Sequence, residues 1–380
     1  MKPFAMILPL LGFVCSGFSQ ETLTQTLSHD GIERSYILYI PNSYTGDTPV
    51  PLVFNFHGYT SNANEQMWYG DFRPIADTAG FLLVHPQGTS FQGSTHWNVG
   101  GWTVGSTVDD VGFTEAMIDE LAVNYNIDLS RVYATGMSNG GFMSFLLACQ
   151  LSDKIAAVAS VTGSMTPETY DNCTPEHPTP VLQIHGNLDP VVPYNGAGWT
   201  KPIADVLQYW VDYNNCNATP TTTQLPNTSL IDGSTAAHMV YDGGDYATTV
   251  EHFEVTGGAH TWPGTLFSAP GTNQDFDASV AIWRFFARYD LDALMGTTDT
   301  DEVLATDLHL QYYPNPTNGL LYLEHNASAP LAYEIFTPSG IRVLAGAIPS
   351  GSITIDCSQL APSVYFLRIG GKVFKIVKSE

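Results

Sequence analysis

Residues 131–150 read RVYATGMSNGGFMSFLLACQ, and the reading of this stretch decides the fold. Residues 132–135 form a short β-prone run. Gly136-Met137-Ser138-Asn139-Gly140 follows at once, and Phe142, Phe145, Leu146 and Cys149 then recur at helical spacing. The pattern is strand, sharp turn, helix, with Gly-x-Ser-x-Gly at the turn. A serine so placed is held on a strained bend, its hydroxyl exposed above the end of a parallel sheet. Glycine is needed on both sides because a Cβ there would crowd the neighbouring strand and helix. In a chain with 34 glycines the five-residue pattern alone also fits a loop with a surface serine. The strand before it and the apolar helix after it favour the nucleophile turn.

Outward from this turn, apolar runs at 52–56, 81–84, 155–161 and 181–185 suit strands buried on both faces. Helices are predicted over 65–78, 111–125, 201–214 and 277–289. Asp30-Gly31, between alternating runs at 23–27 and 35–40, predicts a hairpin. Residues 236–241 and 248–255 supply the last strands. The segment 87–108 is a long loop rich in Gly, Ser and Thr, and such loops are often functional. Alternating strands and helices imply an α/β fold, a mostly parallel sheet flanked by helices. The character changes after Asp290. Residues 295–307 are polar and acidic, a linker. Residues 308–380 hold short strands at 320–323, 333–336, 341–344, 364–369 and 373–377, broken at Pro338-Ser339-Gly340 and Gly370-Gly371. This predicts a small C-terminal β-sandwich.

The 380 residues carry a net charge of −24, which argues against nucleic acid and anionic membrane surfaces as partners. Lys2, an apolar run over 4–14, and Ser16, Gly17 and Ser19 read as a signal peptide over 1–19, with the main domain over 20–294. The apolar run is too short to span a membrane. Cys15 raises a lipoprotein reading, but Gly12-Phe13-Val14 before it is a poor lipobox. No Cys-x-x-Cys or His-Glu-x-x-His spacing points to a metal, and no cofactor is called for.

Acyl transfer by serine needs a base, an acid that orients it, and N–H donors for the oxyanion. On this architecture the chain order is Ser, Asp or Glu, then His. Asp189 follows the buried run 181–185, and His260 lies in the Gly-rich loop 257–264. Alone, Asp189 before Pro190 also suits a turn, and His260 also suits an ordinary loop position. Together with Ser138, in that order, they form a candidate triad. The candidate oxyanion donors are the amides of Asn139 and Tyr59, with His57 as support for the Tyr59 loop. Asp109 and Asp110 read as cap and loop anchor.

Residues 132–141, 185–195 (HGNLDPVVPYN) and 257–264 together resemble the polyhydroxybutyrate depolymerase and feruloyl or acetylxylan esterase group of α/β-hydrolases, over about 22–290. The resemblance implies that Ser138, Asp189 and His260 are the catalytic triad. Tyr313-Pro314-Asn315-Pro316 and Val364-Tyr365-Phe366 resemble the C-terminal sorting domain of type IX secretion, with Ser363 where Gly is usual. That implies a secreted or cell-surface protein whose tail engages the secretion machinery.

The expected function is a secreted serine esterase acting on polymer-linked or small esters. Rival readings are a peptidase on the same fold, and an inactive hydrolase scaffold whose C-terminal sandwich binds carbohydrate. Trp97, Trp102 and Trp262 are candidate substrate contacts near the catalytic edge, because aromatic rings stack on sugars and phenols. They also suit core or loop anchors. Of the four cysteines beyond the leader, Cys149 reads as a small buried apolar residue and Cys357 belongs to the tail. Cys173 and Cys216 are then expected to pair.

Overall fold

The computed structural model describes residues 20–296, 310–325, 331–337, 342–348, 352–369 and 372–379. The expected leader and most of the expected linker lie outside the described residues. The chain opens as the hairpin read from Asp30-Gly31. β1 (Glu21–His29) and β2 (Ile32–Ile40) pair antiparallel, and the two turn residues sit at φ 50° and 74°. β3 (Val50–Phe56) follows. The single helix expected over 65–78 is instead two, α1 (Ala63–Tyr69) and α2 (Arg73–Ala79). The first ends at Gly70, whose carbonyl accepts from Asn55 Nδ2 at 2.9 Å and where a Cβ would meet the Trp262 ring at 2.9 Å. Pro74 sits in the first turn of α2, where its missing N–H has no intrahelical partner to lose.

After β4 (Leu82–Pro86) the long loop folds on itself as a small hairpin of β5 (Thr89–Phe91) and β6 (Ser94–His96). Then come α3 (Asp110–Asn124), β7 (Ile127–Met137), α4 (Asn139–Gln150), β8 (Ala157–Val161), α5 (Pro167–Asp171), β9 (Val181–Gly186) and α6 (Ile203–Tyr213). β10 (Thr221–Gln224), β11 (Thr235–Tyr241), β12 (Val250–Thr256), α7 (Ala278–Phe286) and α8 (Leu291–Leu294) complete the unit. β10 escaped the sequence reading because all four of its residues are exposed, so it has no apolar alternation.

The strands form one sheet in the order β1-β2-β4-β3-β7-β8-β9-β12-β11-β10. The run from β4 to β12 is parallel, with antiparallel pairs at both ends. One face is covered by α3, α4 and α6 through Phe113, Met117, Phe145, Leu147, Val206 and Trp210. The other is covered by α2, α7 and α8 through Ala76, Ile282, Phe286, Leu291 and Leu294. This is the α/β-hydrolase fold.

The tail is a sandwich of two antiparallel sheets. Its strands are β13 (Leu310–Tyr313), β14 (Leu320–His325), β15 (Leu331–Phe336), β16 (Arg342–Ile348), β17 (Ser352–Asp356), β18 (Ser363–Ile369) and β19 (Lys372–Lys378). The sheets are β13-β14-β17 and β16-β15-β18-β19, with Leu321, Leu323, Ile335, Ile355, Leu367 and Ile369 buried between them. The predicted turns at 338–340 and 370–371 lie outside the described residues.

The expected Cys173–Cys216 disulfide is not formed. Cys173 bonds Cys149, with Cα atoms 4.7 Å apart, and Cys216 is a free thiol whose Sγ lies 3.8 Å from Thr248 O. Cys149 is buried, as expected, but against Cys173 at the end of α4 rather than as an apolar filler.

Candidate active site

Ser138 stands between β7 and α4 with φ 55° and ψ −118°, a backbone region costly for any residue with a Cβ. The elbow is held by backbone contacts. The Ser138 amide donates to Val161 O at 2.8 Å, and Ser138 O accepts from Gly141 and Phe142 at 2.8 and 3.0 Å. A Cβ on Gly136 would meet Phe56 O at 2.5 Å, and one on Gly140 would meet it at 2.1 Å. The end of β3 therefore lies too close for any other residue at either place.

The segment after β3 frames the serine. His57 is buried, and its Nδ1 lies 2.7 Å from Gly58 O, which can only accept, so Nδ1 carries the proton. Its Nε2 accepts from the Gly88 amide at 2.9 Å. Burial pushes the His57 ring down to about 4, so it stays neutral and keeps both bonds. In a trans peptide the C=O and N–H point opposite ways. Holding Gly58 C=O therefore turns the Tyr59 N–H away from His57. A Cβ on Gly58 would lie 3.4 Å from Ser138 Cβ, so this peptide adjoins the elbow. Among the described residues no acceptor takes the Tyr59 or the Asn139 amide.

The loop 87–108 is tied into the same corner. The Asn139 side chain is buried and pairs with Trp97 on both sides, accepting from Trp97 N at 2.7 Å and donating to Trp97 O at 3.1 Å. Asp110, beside buried Arg34 at 2.7 Å, takes the Asn98 amide at 2.7 Å, while Asp109 caps α3 through Gly112 N. These are the anchor and cap roles read from the sequence.

On the far side of the elbow, β9 and β12 carry the remaining pair. The chain turns after β9, and Asp189 Oδ1 accepts from the amides of Val191 and Val192 at 2.8 and 2.9 Å. Asp189 Oδ2 lies 2.7 Å from His260 Nδ1. Burial opposes ionisation of Asp189, but hydrogen bonds from His185 and His260 outweigh it and hold the carboxyl well below the usual range. His260 and Ser138 both line a cavity of about 540 Å³, together with Gly58, Tyr59 and Met137. The structure thus brings Ser138, Asp189, His260, Tyr59 and Asn139 to one edge of the sheet.

The three tryptophans behave differently. Trp97 is 0 % exposed. Its Nε1 donates to His57 O at 2.8 Å and its ring meets Phe56 edge-on, so it anchors the loop and offers no face to a substrate. Trp262 is 1 % exposed, bonded to Ser279 Oγ at 3.2 Å and packed on Phe72. Trp102 is half-buried in a cluster with Phe142 and Trp199 and meets the Tyr59 ring edge-on. The aromatic cavity wall is made instead by Tyr59, Trp68, Tyr69 and Phe267, with Glu65 and Gln66 beside them. Trp68 and Phe267 are 51 % and 58 % exposed. The signal that could have found Trp68 and Tyr69 is their place on the first helix after the His57-Gly58-Tyr59 loop.

Residues 109–219 match the family model described as Phospholipase/Carboxylesterase, a stretch that includes Ser138 and Asp189 and ends before His260. Residues 311–379 match the Secretion system C-terminal sorting domain. The chain is similar to feruloyl esterase B of Piromyces equi, 32% identical over 198 residues that cover 49% of this chain and 37% of that protein. It is similar to a bifunctional acetylxylan esterase/xylanase of Neocallimastix patriciarum, 26% identical over 273 residues covering 72% and 36%. It also resembles a probable feruloyl esterase C of Aspergillus flavus, 32% identical over 186 residues covering 47% and 63%. The chain spans little more than a third of the length of the first two relatives. These matches agree with the esterase resemblance drawn from the motifs and with the reading of the tail as a type IX sorting segment. The protein is secreted or held at the cell surface.

Proposed function

We propose that the protein is a serine esterase that works through an acyl-enzyme. Ser138 Oγ attacks the ester carbonyl as His260 Nε2 takes its proton, and Asp189 holds His260 in the tautomer that leaves Nε2 free to do so. The amides of Tyr59 and Asn139 receive the negative charge that develops on the carbonyl oxygen, each worth roughly 10²–10³ in rate. The alcohol leaves with the proton from His260. Water, deprotonated by the same ring, then releases the acid and restores Ser138. The observation that carries this reading is the 2.7 Å bond between His260 and buried Asp189, behind a cavity that Ser138 and His260 both face. No metal takes part in the proposal.

The substrates proposed are esters attached to polymers: feruloyl or acetyl esters of polysaccharide, or polyhydroxyalkanoate. The wall of Tyr59, Trp68, Tyr69 and Phe267 favours an aromatic acyl group over acetyl, since flat rings gain most from aromatic contact. In this reading residues 20–294 catalyse, and residues 308–380 address the chain to the type IX machinery and take no part in the chemistry. The test is a fluorophosphonate probe with peptide mapping, run beside Ser138→Ala. Covalent labelling should fall on Ser138, and the variant should lose turnover of methyl ferulate, acetylated xylan and polyhydroxybutyrate alike. Labelling elsewhere, or a variant that keeps most of its rate, overturns the proposal.

A further inference from the structure

The Asp189 carboxylate has a further imidazole beside it that the mechanism above does not use. His185, on β9 and four residues upstream, is wholly buried. Its Nε2 lies 2.9 Å from Val192 O and 3.4 Å from Asp189 Oδ2, the same oxygen that holds His260. Its Nδ1 lies 3.0 Å from Gln183 Nε2.

The protonation of this ring follows from its surroundings. Gln183 Nε2 also lies 3.0 Å from Gly163 O. A main-chain carbonyl can only accept, so the amide nitrogen of Gln183, not its oxygen, must face Gly163. The second N–H of that nitrogen then points at His185 Nδ1, which must accept. The His185 proton is left on Nε2, where both neighbours, Val192 O and Asp189 Oδ2, are acceptors. One backbone carbonyl thereby orients an amide, the amide selects a tautomer, and the tautomer presents an N–H to the carboxylate.

We propose that His185, locked by Gln183 as the neutral Nε2–H tautomer, is a positioning residue that shares Asp189 Oδ2 with His260 and sets how strongly this oxygen pulls on the base. This rests on the reading of Ser138, Asp189 and His260 as the triad. His185 touches no substrate and acts through Asp189. The other titratable groups around it are Tyr194, whose ring meets it edge-on at 5.9 Å, His252, bonded to the Tyr194 hydroxyl at 2.9 Å, and Glu254, its register partner on β12, whose carboxylate acts on Tyr194. Burial pushes the His252 ring down to about 4, so it adds no charge near neutral pH.

The direction of the effect follows from charge. An N–H on Oδ2 spreads part of the carboxylate charge. Removing it leaves Asp189 more basic, which favours the protonated form of His260. In His185→Phe, kcat for a small ester should fall about tenfold with KM little changed, below the usual size for a full hydrogen bond to a charged group because the N–H is shared with Val192 O. The acid limb of kcat should move to higher pH. His185→Gln keeps an N–H near the site and should restore much of the limb. Gln183→Met should move it in the same direction as His185→Phe by freeing the tautomer. Nitrogen-15 NMR of the unmutated protein should show His185 protonated at Nε2 alone, a readout independent of whether the variants fold. An unmoved acid limb in a folded His185→Phe, or an Nδ1–H ring in the unmutated protein, overturns the proposal. Fluorophosphonate labelling keeps the two questions apart. Normal labelling of Ser138 with an unmoved limb sinks only the role of His185, whereas no labelling at Ser138 sinks the triad.

Discussion

The two sides of the candidate site are built by different physics. The elbow side is backbone against backbone. Phe56 O, Gly136 and Gly140 approach so closely that no side chain fits, and Ser138 is bent to φ 55° by that packing. The proposed acid–base side is side chain against side chain. Asp189, on the loop after β9, is held by two amides and by His260 on the loop after β12, with the His185 ring of β9 beside it. The first arrangement tolerates almost no change at Gly136 and Gly140, whose part is shape alone. The second can lose its chemistry and keep its shape.

That contrast is open to test, first on the side where activity and stability should part. Asp189→Asn should lower kcat by about 10⁴ while the melting temperature stays close to that of the parent, because the geometry survives and the tautomer of His260 does not. A comparable loss of fold would erase the distinction. Gly140→Ala should do the reverse. A Cβ 2.1 Å from Phe56 O forces β3 and α4 apart, which should destabilise by at least about 4 kcal/mol and leave little folded protein. Soluble Gly140→Ala with normal thermal unfolding would show that the elbow is looser than its contacts imply.

Acid should weaken the fold through two buried rings, His57 beside the elbow and His85 on β4. Burial pushes His57 down to about 4 and His85 down to about 3, so the unfolded chain binds protons that the folded chain refuses. Stability is then full above the unfolded histidine value near 6.5 and is lost as pH falls from there towards 4. Even one such ring costs about 3 kcal/mol over that interval. Denaturant midpoints at pH 7 and pH 4.5 measure it, and His57→Gln should flatten the slope. The smallest effect belongs to the disulfide. The Cys149–Cys173 link closes a separation of 24 residues at the end of α4, so Cys149→Ala with Cys173→Ala should lose roughly 2–3 kcal/mol without touching kcat. A changed kcat would mean that the link also positions Ser138.

The same contrast explains what could be read from the sequence. The elbow was legible because its constraint is local: two glycines, a strand before and a helix after, all within residues 131–150. The Asp189 and His260 loops were legible through chain order and through the strands that precede them. What escaped depends on contacts between distant segments. Trp97 and Trp262 have no local sign that one is pinned to His57 O and the other to Ser279 Oγ. The break between α1 and α2 lies at Gly70, where Asn55 takes the carbonyl and the Trp262 ring, almost two hundred residues away along the chain, leaves no room for a Cβ. Elimination among cysteines failed for a related reason. Burial of Cys149 was foreseen, but helical periodicity cannot say that the residue buried against it is Cys173.

The cavity wall has a consequence for how the protein can change. Trp68 rides on α1, and Phe267 stands on the strap between Gly264 and Gly271, whose neck is closed by the Gly264 amide on Asn273 O. Neither side chain holds the elbow, the Asp189 turn or the Tyr59 amide, and the proposed oxyanion donors are main-chain groups that no single substitution deletes. Under the proposed function, preference for one acyl group over another can therefore shift through positions such as these while the proposed triad and oxyanion donors stay fixed. A duplicated copy of the gene could acquire a new diet within a few substitutions, without first passing through an inactive ancestor.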